Sequence, residues 1–245
     1  MQKIAVAFLF LLMLLACTRG KRDIRDYYYP VLDLQGGKVY VYELTQGDST
    51  ALEYWYFRGF VRDSGIFLAS TNYDEQFQIS QIGREKLVSS GALLRDYFVY
   101  EPDTAQGTVR QVPTQISSPT VFPFQVTDSL GVFLFSLSYA PTADPQARVY
   151  LIRNRRYLGN GPPYTLNGQQ HSTVRFGVRE AIGYDAEGAA EIEGEGEEWY
   201  AKGIGLVYRR KRYGEEGGFE QVFRLKEIVL MEELEQRAKS SLISQ

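Results

Sequence analysis

The chain offers one thiol and one imidazole to chemistry, Cys17 and His171. Cys17 closes the segment Leu14-Leu15-Ala16-Cys17, directly after the apolar run 4–16 and a short leader carrying Lys3. A basic start, an apolar stretch and small residues before a cut make a secretory leader. A cysteine at the cut presents its thiol for acylation, so the chemistry this placement supports is covalent lipid attachment at Cys17 with removal of residues 1–16. A spanning helix is the weaker reading, because crossing a bilayer takes about 20 apolar residues and this run is shorter. The following Thr18-Arg19-Gly20-Lys21-Arg22 is polar and basic, and each cation near anionic headgroups contributes about 1 kcal/mol. Acyl chain plus basic stretch supplies the two signals that stable anchoring requires.

His171 ends the polar, turn-like stretch Asn167-Gly168-Gln169-Gln170 and reads as a surface residue. No Gly-x-Ser-x-Gly elbow positions a nucleophile for it, and with no second cysteine and no His-Glu-x-x-His a zinc site has no ligand set. Glu191, Glu193, Glu195 and Glu197 alternate, which on an extended segment puts four carboxylates on one face. Beyond Gly203-Ile204-Gly205 comes Arg209-Arg210-Lys211-Arg212. A hairpin turning near Lys202-Gly203 sets Glu195 opposite Arg210 and Glu193 opposite Arg212, a salt-bridged surface. Calcium is the competing occupant, disfavoured because no Asp-rich loop accompanies the ladder. Gly203-x-Gly205 lacks the third glycine and the following helix of a phosphate-binding loop. Asp74-Glu75 and Glu197-Glu198 place neighbouring acids on opposite strand faces, whereas glycoside hydrolysis needs two acids facing one site. These residues imply a non-enzymatic protein with no catalytic set, no metal and no cofactor.

Aromatic residues are the remaining candidates. Tyr54-Trp55-Tyr56-Phe57 is apolar on both strand faces, so something covers both: a second layer or an apolar ligand. The residues read as possible ligand contacts are Tyr54, Trp55, Tyr56 and Trp199, with core packing as the alternative role.

What positions these groups is mostly strand. Aromatics form 14% of the chain and fall inside short alternating runs, a strand composition. Alternation predicts strands over 38–45, 52–61, 66–71, 77–82, 86–88, 93–101, 132–139, 149–152, 172–179, 190–195, 206–213 and 219–228. Residues 102–120 carry Pro102, Pro113 and Pro119 and read as a long loop with one short strand near 109–112. After Ile228 the period changes: Met231, Leu234, Ala238 and Leu242 mark a helix to Ile243 that covers an edge or face of the sheet. The expected organisation is a leader over 1–16, a lipidated tether over 17–27, one antiparallel β domain over 28–228, and a helix and tail over 229–245. The leader holds one lysine and no acid, so the net charge of −3 becomes about −4 in the mature part, and nucleic acid is not an expected partner.

Two motifs carry a resemblance. Tyr28-Tyr29-Pro30 followed by Gly36-Gly37-Lys38-Val39-Tyr40-Val41-Tyr42-Glu43, and Trp199-Tyr200-Ala201-Lys202-Gly203-Ile204-Gly205-Leu206-Val207, resemble the opening and closing segments of uncharacterised Gram-negative lipoproteins, with Tyr40 where tryptophan is usual. The resemblance implies a single strongly curved antiparallel sheet, a half-barrel or open barrel distantly similar to lipoprotein carriers. It also implies a place in the cell envelope: Thr18 after the cysteine is similar to outer-membrane sorting, with the body facing the periplasm. The expected partners are the membrane, through the lipid anchor, and either an apolar ligand or an envelope protein. A Cys17→Ser chain is expected to lose radioactive palmitate labelling and to leave the membrane fraction; wild-type chain that is unlabelled and cytosolic would refute the anchor.

Overall fold

The computed structural model describes residues 20–103, 107–127, 131–185, 190–214 and 218–243, so the leader and Cys17 lie outside the described residues. Alternating sequence becomes long strands: β1 (Lys21–Asp23), β2 (Lys38–Gln46), β3 (Ser49–Arg62), β4 (Gly65–Tyr73), β5 (Ile79–Val88), β6 (Gly91–Asp103), β7 (Thr108–Pro113), β8 (Gln115–Pro123), β9 (Gln125–Thr127), β10 (Val132–Tyr139), β11 (Arg148–Asn160), β12 (Tyr164–Leu166), β13 (Gln169–His171), β14 (Thr173–Asp185), β15 (Ala190–Ala201), β16 (Gly205–Tyr213) and β17 (Phe219–Val229). Helix α1 (Met231–Ile243) follows.

The expected open sheet or half-barrel is overturned. Twelve strands, β2 to β6, β8, β10, β11 and β14 to β17, hydrogen-bond in chain order as an antiparallel meander, and β17 returns to pair with β2 from Val229↔Val39 to Gln221↔Gln46. The sheet is therefore a closed barrel. Alternation along each strand marks its two faces, but nothing local says whether the first and last strands meet. The 102–120 region is also a correction, since β7 and β8 form one interrupted strand along β6. Their break falls at Thr114, whose N–H reaches Tyr97 O at 3.0 Å, next to Pro113, while Pro102 lies opposite Val109 in the regular ladder to the edge strand β7.

One end of the barrel is plugged. Residues 20–27, read from sequence as tether, are built into the fold: β1 pairs with β9, and Ile24 is 0% exposed. Two 3-10 turns, Arg25–Tyr27 and Val31–Leu34, carry Tyr28, Val31 and Leu34 into the main core beside Tyr40, Phe57, Phe122, Phe176 and Val207. The β12–β13 hairpin straps the same end, Tyr164 hydroxyl donating to Leu225 O at 2.5 Å. Among the described residues nothing covers the opposite end: Ile182 and Ile192, in phase with inward-facing Val178 and Glu180, are 37% and 50% exposed.

Helix α1 lies on the outer wall, packing Leu234 and Met231 over Val39, Val41 and Tyr54. Arg237 fastens it, its Nη1 lying 2.6 Å from Glu227 Oε1 and its Nη2 2.7 Å from Glu233 Oε1. Its neighbours β2 and β3 are each paired on both sides, so it covers a face and not an edge.

The plug passes so near β3 that a Cβ on Gly59 would lie 1.8 Å from Val31 O. Gly59→Ala is expected to destabilise by about 1–3 kcal/mol, the usual cost of overpacking, and to lower Tm in a thermal melt. Gly36→Ala, where nothing lies within 4 Å, should leave it unchanged.

Candidate functional site

Closure forces alternate residues of every strand into one lumen, and the sequence sends charge there. Position by position, β11 points Arg153 and Arg155 inward, β14 Glu180, β15 Glu198 and Tyr200, β16 Arg209 and Lys211, β3 Glu53 and Trp55, and β5 Gln81 and Glu85. These side chains enclose a cavity of about 340 Å³ to which all twelve barrel strands and the plug residues Tyr28 and Tyr29 contribute. Aromatic and aliphatic groups, including Tyr42, Phe57, Phe223, Leu94, Phe135 and Leu137, complete its wall.

Most of the charge is tied down. Arg155 Nε lies 2.7 Å from Glu198 Oε2, its Nη1 donates to Val121 O at 3.1 Å, and Tyr200 hydroxyl donates to the same carboxylate at 3.0 Å. Glu180 receives Arg153 at 2.5 Å, Lys211 Nζ at 2.6 Å and Tyr213 hydroxyl at 2.8 Å. Gly194 makes this convergence possible: a Cβ there would lie 2.7 Å from the Tyr213 ring. Across the lumen, Tyr28 hydroxyl donates to Glu85 Oε2 at 2.6 Å, linking the plug to β5, and Tyr97 hydroxyl donates to Gln81.

These contacts set the protonation states. Burial would raise Glu180, but Arg153 and Lys211 outweigh it and hold the carboxyl well below the usual range. Glu198 is likewise pushed up by burial and brought down further by Arg155 and Arg153. For Lys211, burial and then the neighbouring Arg153 and Arg209 pull the ammonium down to about 7. Glu85 goes the other way: burial lifts it to about 7, against the opposing pull of the Tyr28 hydrogen bond and Arg155.

The sequence candidates separate. Trp55 faces the lumen, whereas Tyr54 and Tyr56 face outward and pack beneath or beside helix α1. Trp199 is also on the outer wall, stacked on Tyr208 with ring centroids 4.2 Å apart and donating to Glu197 Oε2 at 3.0 Å. The four therefore do not converge. The glutamate hairpin forms, but in another register: Glu195 pairs with Arg212 and Glu197 with Arg210, because the turn centres on Gly203 and a bulge follows Trp199. His171 ends the plug-end hairpin, half-buried and away from the lumen.

The lumen charges went unread in the sequence. Their signal is Glu180 within the apolar alternation Val174, Phe176, Val178, Ile182, and Glu198 out of phase with the ladder of odd-numbered glutamates. In β11 both faces mix arginine with apolar residues, so no inside was legible.

No family model matches the chain, and no curated protein matches it. Two solved structures share the fold. One is a candidate lipoprotein of Parabacteroides distasonis, at TM-score 0.53 and 12% identity, covering 82% of this chain and 97% of that one. The other is a candidate exported protein of Bacteroides fragilis with a YmcC-like fold, at TM-score 0.53 and 13% identity, covering 82% of this chain and 98% of that one. At that identity the likeness is one of fold.

Two outcomes follow from the buried charges. Arg155→Met strands Glu198 and is expected to cost about 3–5 kcal/mol in urea denaturation, while Arg155→Met combined with Glu198→Leu recovers most of that loss. Glu85 holds its proton more tightly folded than unfolded, so from its usual 4.5 to about 7 the folded state carries the extra proton and stability falls as pH rises. Glu180 and Glu198, held low, act in the reverse sense: their contribution is present above the usual carboxylate range and is lost as pH falls below it. Urea midpoints of the wild type should therefore decline from about pH 5 to about pH 8 relative to Glu85→Gln; parallel profiles would contradict the assignment.

Proposed function

We propose that the protein is a lipid-anchored, non-enzymatic protein of the cell envelope whose barrel lumen holds a small amphipathic ligand. The observation that carries this reading is the half-open lumen cavity of about 340 Å³, within the range of small-molecule sites and lined by apolar and charged groups. The envelope part rests on the leader and Cys17 and is supported by fold neighbours described as lipoprotein and exported protein.

The outer wall argues for a barrel standing in water. Arg175, Arg179, Glu193, Glu195, Arg210, Arg212 and Glu220 occupy outward positions on β14 to β17, where lipid contact would cost about 2–4 kcal/mol for each mid-membrane Arg. A second reading, a structural accessory in outer-membrane assembly that works by strand addition, is weakened by closure, because a ring leaves few free strand edges.

Lipidation at Cys17 would put anchor and mouth at opposite ends. The described chain begins at Gly20 on the plugged end, and three residues from Cys17 reach at most about 10 Å. On this reading the plug stands beside the bilayer and the mouth opens away from it, so the ligand arrives from the aqueous side.

Native mass spectrometry of protein released gently from its membrane is expected to show a small adduct that departs on unfolding. A bare mass, together with no uptake of any added amphiphile, would refute the lumen as a binding site.

A further inference from the structure

We propose that Arg209 is the anion anchor of the lumen and that the ligand it receives is a small amphiphile bearing a carboxylate or phosphate. This deepens the preceding reading and rests on it.

Arg209 differs from the other lumen cations. Arg153, Arg155 and Lys211 each hold a carboxylate within 2.7 Å. Arg209 has Glu53 Oε2 at 4.0 Å from its Nη2, beyond hydrogen-bond reach, and its Nε is buried with no hydrogen-bond partner among the described residues. The side chain is nevertheless only 18% exposed. Its two Nη groups are not closed off in this way and have no hydrogen-bond partner among the described residues, so they are the donors that the cavity leaves available.

The guanidinium is also held in place. Its Cζ lies 3.9 Å from the Phe223 ring centroid, so the ring supports one face of the planar cation and orients its donors. Glu180 and Glu198 cannot turn to it freely, since three cations and two tyrosine hydroxyls already engage them. An incoming carboxylate or phosphate meets a pre-positioned fork suited to bidentate contact. The apolar body then lies along Tyr42, Trp55, Phe57 and Leu206, which line the same cavity.

The test uses the full lipidated chain in phosphatidylcholine nanodiscs, with empty discs subtracted, and calorimetric titration of octanoate, octyl phosphate, octan-1-ol, octylammonium and inorganic phosphate. Octanoate or octyl phosphate should bind about tenfold or more tighter than the alcohol, the amine and inorganic phosphate, the scale of one charge-assisted hydrogen bond. The preferred acid tells a fatty-acid-like from a phospholipid-like source. Arg209→Met should bring the acids down to the level of the alcohol while leaving alcohol binding intact, which also reports that the barrel is folded. Glu53→Gln, which removes the competing carboxylate, should tighten acid binding and provides a second route should Arg209→Met not fold. Octylammonium binding as well as octanoate, inorganic phosphate matching octyl phosphate, or acid preference surviving in Arg209→Met would overturn the anchor. If acid and alcohol bind alike, the anchor falls and the lumen stands as a binding site; if none of the five binds, the binding site falls with it.

Discussion

The hydrogen-bonded seam between β2 and β17 turns a meander into a ring, and the other features of the protein depend on that join. It pairs β2 and β17 on both sides, where each would otherwise offer unpaired N–H and C=O groups to other chains. It also commits each strand to one inner and one outer face. Val39 and Val41 become outer-wall residues under α1, while Tyr40 and Tyr42 point inward and donate to the carbonyls of Ile204 and Leu206 at 3.0 and 2.7 Å. The seam is thus reinforced from inside by tyrosines that cross to β16 and the turn preceding it.

Twelve strands set the second constraint. A ring of about eight leaves an interior that side chains can fill, and diameter grows with strand number. Here the extra width is met at one end by chain: residues 24–34, together with the β12–β13 hairpin, fill the base. Along the middle it is met by the longest side chains available, arginines, lysine, glutamates and tyrosines, whose alkyl or ring portions occupy space while their polar tips find one another. The remainder is the cavity. Plug, charge network and empty volume are three responses to one geometric surplus.

The network is poorly explained by stability alone. A buried ion pair gains Coulomb energy roughly offset by the loss of hydration, and apolar replacements of similar volume often serve stability as well. Arg155–Glu198 and Arg153–Glu180–Lys211 nonetheless occupy the centre of the barrel, with tyrosine hydroxyls completing the carboxylates. What such a lattice provides is a polar wall of fixed geometry in a place sheltered from bulk water, where a further charge interacts more strongly than it would at the surface. Glu85, lifted to about 7 by burial and bonded to Tyr28 of the plug, shows how weakly that shelter tolerates a carboxylate without a close cation.

Much of the local structure was legible in the residues themselves. Two-residue alternation located most strands, Val132–Tyr139 to the residue, and the change of period after Ile228 located the helix, because both signals arise within a few neighbouring positions. The leader and Cys17 lie outside the described residues. The ring, the plug, the register of the glutamate hairpin and the inward turn of Arg153, Arg155, Glu180, Arg209 and Lys211 were decided only by tertiary structure. A half-residue shift of the turn centre to Gly203 and one bulge moved Glu195 from Arg210 to Arg212 and carried Glu193 past the last arginine, and pairing β2 with a strand about 180 positions later decided which face of every strand became the inside. Alternation distinguishes two faces; only closure, which depends on pairing over the whole chain, says which of them encloses the lumen.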